Sequence, residues 1–532
     1  MNGPVMTAAP EPSTAGPRSA DVPARATRRE WIGLAVIALP CLVYAMDLTV
    51  LNLALPALST ELQPSSAQLL WIVDVYGFLV AGFLITMGTL GDRIGRRRLL
   101  LIGAAAFMAA SAIAAFSRSA EMLIAMRALL GIASATLAPS TMSLIRNMFH
   151  DERQRQFAIG VWISAFSLGG AIGPLVGGVL LEYFWWGSVF LPAIPVMVLL
   201  LVVGPWLLPE YRDPNAGRVD LASVALSLGA VLLTIYGLKR LAEAGPETVA
   251  FATAAVGLAL GAAFVHRQTH LDYPLLDLKL FRRPAFGAAI AAYALSCLAM
   301  MGTYIFLGQY LQMVLGLSPL MAGVVTLPWA IGFVAGSLLA PKLAQRFKPL
   351  RVLVGGLLFA SVGMLSLAAA GSPWALPAMI AGMAVMSLGF APVFTIGNEI
   401  IITSAPPERA GAASALSETS AEFSGALGIA VFGSIGMALY RSRLTDTWPT
   451  ALDPGANESA FATLGGALAA AAAAGGVAGA ALLDAARAAF TGAVQWSGVG
   501  GFAVVLAACM LAARLLRPRA PAAVGVAVDE AG

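Results

Sequence analysis

The stretch LLWIVDVYGFLVAGFLITMGTLGDRIGRRRLL, residues 69–100, decides the class of this protein. Its first twenty residues contain one charged side chain, that of Asp74, and four arginines follow in the short loop before the next apolar run. Because about 20 apolar residues span the ~30 Å hydrocarbon core of a bilayer, the stretch predicts a membrane span, a charged loop and the start of a second span.

The same alternation of apolar runs and short charged loops continues along the 532 residues. The chain is 59% hydrophobic and 11% charged, whereas soluble domains carry about a quarter charged residues. The composition therefore predicts an all-α polytopic membrane protein and excludes a soluble multi-domain protein. We predict fourteen spans, at 33–56, 69–89, 99–116, 122–143, 158–181, 189–208, 221–239, 248–265, 287–312, 320–340, 350–370, 377–402, 411–438 and 492–513.

The basic residues predict the orientation. With both termini cytoplasmic, 25 of the 32 Lys and Arg residues fall in cytoplasmic segments and 6 fall outside, as the positive-inside rule requires. Residues 1–30 and 518–532 lack apolar runs and are expected to be disordered tails.

The segment LGGALAAAAAAGGVAGAALL, residues 464–483, competes with this count because it has no charge. Alanine and glycine are weak membrane formers, and a fifteenth span here would place the C-terminal arginines outside. We expect 440–491 to be external, as a helical hairpin packed on the protein; a re-entrant insertion is the alternative.

Several functional classes lack support in the sequence. The cysteines Cys41, Cys297 and Cys509 lie in apolar runs, without metal-ligand spacing, and we expect them to be buried. The phosphate-binding pattern GxxxxGK[ST] is absent, which argues against direct use of ATP. The basic residues lie where a membrane protein places them, so the net charge of +4 implies no nucleic-acid partner, and no constellation predicts an enzyme.

Four motifs carry a family resemblance. GTLGDRIGRRRLL (88–100) resembles the signature loop G-x-x-x-D-R-x-G-R-R of the major facilitator superfamily, and GGAIGPLVGG (169–178) is similar to the antiporter motif of its exporters. MDLTVLNLALP (46–56) is similar to a motif of its fourteen-helix drug:proton antiporters, and Arg127 with Gly131 partly matches R-x-x-x-G. LLWIVDVY with WGSVFL (186–191) looks most like the quaternary-ammonium and methyl-viologen efflux pumps.

The resemblance implies a fold of two six-helix bundles, 31–208 and 287–517, with a two-helix insertion at 209–286. It also implies a monomer in the bacterial cell membrane that exports small hydrophobic or cationic molecules in exchange for protons. The proton gradient is the expected energy source, without a cofactor or metal. Export of one endogenous antibiotic or other metabolite is the alternative function.

The same resemblance implies a set of gating residues. Contacts of Gly88, Asp92, Arg93, Gly95 and Arg96 are expected to close the cytoplasmic side and to break during turnover. For the arginines, plain positive-inside topology is a parallel explanation.

The antiporter motif supplies two further gating candidates, Gly173 and Pro174. Glycines let neighbouring helices approach closely, and a proline removes a backbone hydrogen bond and permits a bend. Ordinary tight packing is the alternative.

Charged groups at membrane depth are costly and usually face a cavity. Asp47 in span 1 is either a structural partner of Arg127 or a protonatable group of the transport cycle. Asp74 in span 2 is predicted to attract a cation, with Trp71 and Tyr76 adding cation–π attraction; a solvated aspartate at the outer end is the alternative.

Span 13 carries two carboxylates on one helix face, Glu418 and Glu422, because residues four apart are neighbours on a helix. They are candidates for binding protons or cations, and Glu422 matches the acidic position of the efflux pumps. Glu399, near the inner end of span 12, is interpreted as an interfacial group.

Overall fold

A computed structural model describes residues 25–515 except 65, 213–219, 245–246, 272–273, 277, 318, 407–409, 451, 453–459 and 462. Every regular element in this described part is helical. Fourteen of the helical segments are long and apolar enough to cross a membrane, which confirms the predicted fold class. The α-helices are α1 Arg28–Leu62, α2 Ser66–Ile94, α3 Arg96–Ala115, α4 Ala120–Ser134, α5 Leu137–Met148, α6 Glu152–Tyr183, α7 Ala193–Leu207, α8 Leu221–Ala244, α9 Thr248–Gln268, α10 Pro284–Gln309, α11 Pro319–Phe347, α12 Pro349–Met364, α13 Ala375–Ser404, α14 Ala410–Asp446, α15 Leu464–Ala474 and α16 Gly476–Leu515.

The predicted fourth span is two helices, α4 and α5, which meet in a turn at Ala135 and Thr136. Pro139 explains the break. Proline has no N–H to donate to the carbonyl four residues earlier, and its ring crowds that carbonyl. The position four residues before Pro139 is Ala135, where the helical pattern stops.

Helices α1–α7 form the first half of the molecule and α10–α16 the second. The halves meet at the helix pairs α6–α11, α2–α14, α5–α14 and α6–α13, and the first two of these contacts are the most extensive. In one pair, α6 lies against α11: a Cβ at Gly160 would fall 2.5 Å from the carbonyl oxygen of Ser337. In the other, α2 lies against α14: a Cβ at Gly88 would fall 2.9 Å from the carbonyl oxygen of Gly411. Glycine is therefore required where the two halves approach most closely.

The two-helix insertion, α8 and α9, packs as a pair, and α8 also contacts α2 and α14. The Phe78 and Tyr236 rings lie 6.4 Å apart across the α2–α8 contact. At the base of the insertion, Arg267 donates to Asp220 with Nε at 2.6 Å. This side-chain hydrogen bond lowers the pKa of Asp220 from its usual range.

The segment that follows α9 joins the insertion to both halves. The Gln268 side chain is buried, accepts from the backbone N–H of Leu275 at 2.7 Å and donates to Ser223 at 2.8 Å. The Thr89 hydroxyl of α2 donates to the carbonyl of Leu275 at 3.3 Å. Leu275 and Leu276 pack in an apolar cluster with residues of α2, α13 and α14.

The predicted external segment contains a helical hairpin, formed by α15 and the first turns of α16 around Gly475 and Gly476. Both glycines have positive φ, of 61° and 52°, which a residue with a side chain adopts only at a cost. The last helix therefore begins well before the predicted boundary at 492. Arg487 on α16 donates to the Met313 carbonyl at 3.1 Å, which attaches the hairpin to the end of α10.

Candidate functional site

The signature loop lies between α2 and α3, at the end of the bundle that we call the loop end; the opposite end is the far end. Arg96, the first residue of α3, is fully buried and donates to Asp92, four residues earlier in the last turn of α2. Its guanidinium fills the space beside Gly411 of α14, where a Cβ would overlap it. The ion pair thus forms within the first half, while its arginine packs against the second half.

The other loop residues shape this contact. Gly95 has φ of 110°, a conformation that glycine adopts freely. Arg93 lies in the last turn of α2. Arg97 donates to the carbonyls of Pro205 at 2.9 Å and Leu208 at 3.0 Å, so it holds the end of α7 rather than the second half.

Two further arginines reach across the halves at the loop end. Arg155 of α6 forms an ion pair with Glu399 of α13, with both Nε and Nη2 at 2.9 Å from Oε1. Arg146 of α5 donates to the carbonyl of Ile402. Glu399 is only 6% exposed, so it is buried between the halves. Its interpretation as a group at the membrane interface concerns depth in the membrane and stays a prediction.

The antiporter motif on α6 packs within the first half. A Cβ at Gly169 would collide with the Leu42 carbonyl of α1, and a Cβ at Gly173 would lie 3.1 Å from the Met46 carbonyl. The side chain of Pro174 lies outside the described residues. The bare face of α6 therefore brings α1 close, and the next turn of α1 carries Asp47.

Asp47 and Arg127 form a buried ion pair between α1 and α4, with Oδ2 and Nη1 2.5 Å apart. Arg127 Nε also donates to the carbonyl of Ile72 on α2 at 3.2 Å. Its guanidinium carbon stands 4.4 Å from the centroid of the Tyr76 ring. The guanidinium of Arg127 thus links α1, α2 and α4 of the first half. Asp47 is only 5% exposed.

Asp74 and its two predicted aromatic partners, Trp71 and Tyr76, all lie on α2. Residue 74 lies within α2, but its side chain lies outside the described residues. The ring of Tyr76 is fully buried and faces Arg127, and its contribution to cation binding at Asp74 stays a prediction. Trp71 is 47% exposed and packs edge-on against Phe78, with ring centroids 6.4 Å apart.

Glu418 and Glu422 are half-buried on α14 and interact electrostatically with each other. Both also interact with the hydroxyls of Tyr44 in the first half and Tyr293 in the second. The Tyr44 ring adjoins those of Tyr76 and Phe166, at 6.2 and 5.5 Å. The helix that carries the two carboxylates packs against α2 of the first half and α10 of the second, so they lie within electrostatic range of a tyrosine from each half.

Most of the chain matches one protein family. The family model described as Major Facilitator Superfamily matches residues 37–429. The chain belongs to the major facilitator superfamily. It is a member of a transporter family, and the resemblance of its motifs is confirmed.

Relatives within this superfamily extend over nearly the whole chain. The multidrug efflux pump LfrA of Mycolicibacterium smegmatis is 46% identical over 92% of this chain and 96% of its own length. The methyl viologen resistance protein SmvA of Salmonella typhimurium is 34% identical over 91% of this chain and 98% of its own. The human organic anion transporter MFSD10 shares the fold, with a TM-score of 0.59 at 17% identity over 91% of this chain and 99% of that one.

Sequence reasoning missed a polar network beside the glutamate pair. Ser417 donates to Asn398 Oδ1 at 2.9 Å, and Asn398 Nδ2 donates to the Tyr293 hydroxyl at 3.5 Å. The Tyr293 ring stands edge-on to Phe394, with centroids 4.7 Å apart. Buried polar residues in apolar helices were the available signal, but their partners lie on three different helices, which periodicity does not reveal.

Proposed function

We propose that this transporter exports lipophilic cations in exchange for protons by alternating access. The observation that carries the proposal is the position of the half-buried Glu418 and Glu422 on α14, a helix that packs against both α2 of the first half and α10 of the second. Carboxylates at membrane depth attract cations and protons, and aromatic rings favour cations with apolar bodies. The efflux activity named for LfrA and SmvA agrees with this chemistry.

Proton and cation compete for one set of carboxylates in this mechanism. Ionised Glu418 or Glu422 binds the cation when the site faces the cytoplasm. Protons that enter from the outside neutralise the pair, and the cation loses its electrostatic attraction and leaves outward. Because neither ligand binds well while the other is bound, exchange follows without a nucleotide.

Asp47, Arg127 and Asp74 complete the proposed binding region. Arg127 neutralises Asp47 at 2.5 Å, so protonation of Asp47 would release Arg127 toward its other partner, the Ile72 carbonyl. Asp47 thus acts as a proton-sensitive link between α1 and α4. Asp74 keeps its role as a cation-attracting group on the strength of its sequence position alone.

Loop-end contacts between the halves support alternating access. Arg96 against Gly411 and Arg155 with Glu399 close that end, and the charge bias makes it the cytoplasmic end, with both termini inside. The two halves would rock about the central site as in other transporters of this architecture. We propose that one polypeptide chain suffices, because the loop-end contacts and the acidic pair lie within it.

Dye transport into everted membrane vesicles tests this function. Wild-type protein should accumulate ethidium when the vesicles carry a proton gradient and should stop when the gradient is collapsed. Glu422→Gln should abolish the gradient-dependent uptake, whereas Glu182→Gln, at an exposed position at the far end of α6, should not. If wild-type vesicles ignore lipophilic cations, the proposal fails and export of a single metabolite becomes the better hypothesis.

A further inference from the structure

A cleft of about 370 Å³ opens at the far end of the second half. It is lined by α10, by the π-helical turn that follows it, and by one residue of α14; Met301, Tyr304, Gly308 and Gln312 line one wall and Ile429 the other. Tyr304 is 65% exposed, so its ring is available to a ligand. The volume falls within the usual range of small-molecule pockets, about 300–1,000 Å³.

The cleft continues from the glutamate pair. Ile429 follows Glu422 by seven residues, so it lies two turns, or about 10 Å, farther along the same face of α14. On α10, Met301 lines the cleft and packs against Gly425 of α14, where a Cβ would lie 3.2 Å from its Cγ. Gly425 follows Glu422 by three residues on the same helix. The acidic pair and the cleft are therefore successive parts of one surface between α10 and α14.

The chemistry of the two parts differs. The described residues that line the cleft include a tyrosine, methionines, isoleucines and two glutamines, and none of them is charged. Methionine side chains adapt to ligands of varied shape, and an exposed tyrosine ring attracts cations weakly through its π face. Such a surface suits the apolar body of a lipophilic cation but holds it without a counter-charge.

We infer that this cleft is a second substrate subsite, which receives the hydrocarbon body of the cation after protons displace it from Glu418 and Glu422. The inference rests on the proposed function. Because none of the described residues that line the cleft supplies a carboxylate to balance the charge of the cation, the subsite binds it with low affinity on its way outward. A ligand with a large apolar body uses it, and a small cation passes it without contact.

Cysteine protection tests the subsite, with tetraphenylphosphonium as the probe. Gly308→Cys places a thiol in the cleft, and Gly355→Cys places one on α12 outside it; a Cβ at either glycine meets nothing within 4 Å. The native cysteines are buried, so they add little background to maleimide labelling of the full-length protein. Both thiols are placed in a Glu418→Gln/Glu422→Gln background, where the acidic pair no longer holds the cation. At about ten times the Kd measured in that background, the probe occupies roughly nine tenths of the subsite, so it should slow labelling at 308 about tenfold and leave labelling at 355 unchanged.

Binding of radiolabelled tetraphenylphosphonium to wild-type protein is measured first. If wild-type protein does not bind the probe, the proposed cation transport itself fails. If the probe binds and labelling at 308 is undiminished, or if 308 does not react at all, only the subsite is refuted.

A second variant distinguishes direct protection of residue 308 by the bound probe from protection by a conformational change that closes the cleft. In the same Glu418→Gln/Glu422→Gln background, Gly308→Trp fills the cleft and should raise the Kd of tetraphenylphosphonium about tenfold, the factor expected for loss of one aromatic contact. Gly355→Trp should leave the Kd unchanged. An unchanged Kd in Gly308→Trp would mean that protection at 308 came from a conformational change, and the subsite would be rejected.

Discussion

The ion pair between Arg155 and Glu399 should hold the loop end of this transporter closed, and Glu399→Gln should weaken that closure. Arg155 belongs to the first half and Glu399 to the second. The substitution keeps the shape and one hydrogen-bond acceptor but removes the charge. The state with the loop end closed should therefore lose stability relative to the state with the far end closed.

The size of the effect follows from the geometry. Both donor nitrogens lie 2.9 Å from Oε1, and the side chains are 16% and 7% exposed. Two unit charges about 4 Å apart attract by roughly 4 kcal/mol at an effective dielectric constant of about 20, and desolvation of the pair offsets part of this. A net loss of about 1–2 kcal/mol should shift the ratio of the two states by a factor of about 5–30.

Spin labels at the far end report the shift. Phe116→Cys on the first half and Trp374→Cys on the second occupy exposed far-end positions, at 63% and 74% exposure. In double electron–electron resonance, Glu399→Gln should increase the fraction of molecules with the shorter distance between the labels. Glu247→Gln removes a solvent-exposed ion pair with Arg240 inside the insertion and should leave the distribution as it is.

A double-mutant cycle with Arg155→Gln provides the decisive comparison. If the two residues act through their ion pair, either single change should have nearly the effect of both together. A distance distribution that Glu399→Gln leaves unchanged, or two effects that simply add, would refute the assignment of this pair as the loop-end closure.

Three further predictions concern single contacts. Asp47→Asn strands a buried arginine without its counter-charge and should cost about 2–4 kcal/mol of stability, seen as a lower unfolding temperature in detergent; an unchanged temperature would contradict the buried pair. Hydrogen bonds from Arg267 lower the pKa of Asp220 in the folded protein. The stability that the ionised carboxylate contributes is therefore complete above about pH 4 and is lost as the pH falls through the lowered folded-state pKa. Asp220→Asn should therefore destabilise the protein by under about 1 kcal/mol, equally at about pH 6 and about pH 8, and a destabilisation that differs between these two pH values would argue against the assignment. Gly160→Ala places a methyl group too close to the backbone of the other half and should shift the spin-label distances as Glu399→Gln does, while Gly170→Ala, on the same helix in open space, should not.

The membrane topology was predictable from the sequence because hydrophobicity acts locally. A helix in hydrocarbon satisfies its own backbone, so a run of about 20 apolar residues is sufficient evidence for a span. The break of the fourth span at Ala135 has a local cause in Pro139, so the sequence also contains the information that predicts it. The start of the last helix was misjudged because its first turns lie in an alanine- and glycine-rich segment whose helix depends on the hairpin at Gly475 and Gly476.

The candidate site was only half visible in the sequence. Asp47, Arg127, Glu418 and Glu422 stood out because charged residues are rare in apolar helices. The similar depth of Asp47 and Arg127 suggested that they form a pair. The spacing of four residues between Glu418 and Glu422 indicated that they share one helix face. No sequence pattern indicates that Glu418 and Glu422 lie within electrostatic range of Tyr44, which belongs to the other half.

The sequence by itself thus determined which segments cross the membrane, which loop carries the signature, and which charged residues lie at membrane depth. Only the tertiary structure decided that Glu399 meets Arg155, 244 residues away, and that Gly411 leaves room for Arg96. The physical reason is range: burial and helix formation depend on neighbours along the chain, whereas ion pairs and close approaches between the halves depend on how separate helices pack. The contacts that would change during transport are these ion pairs and close approaches between the halves.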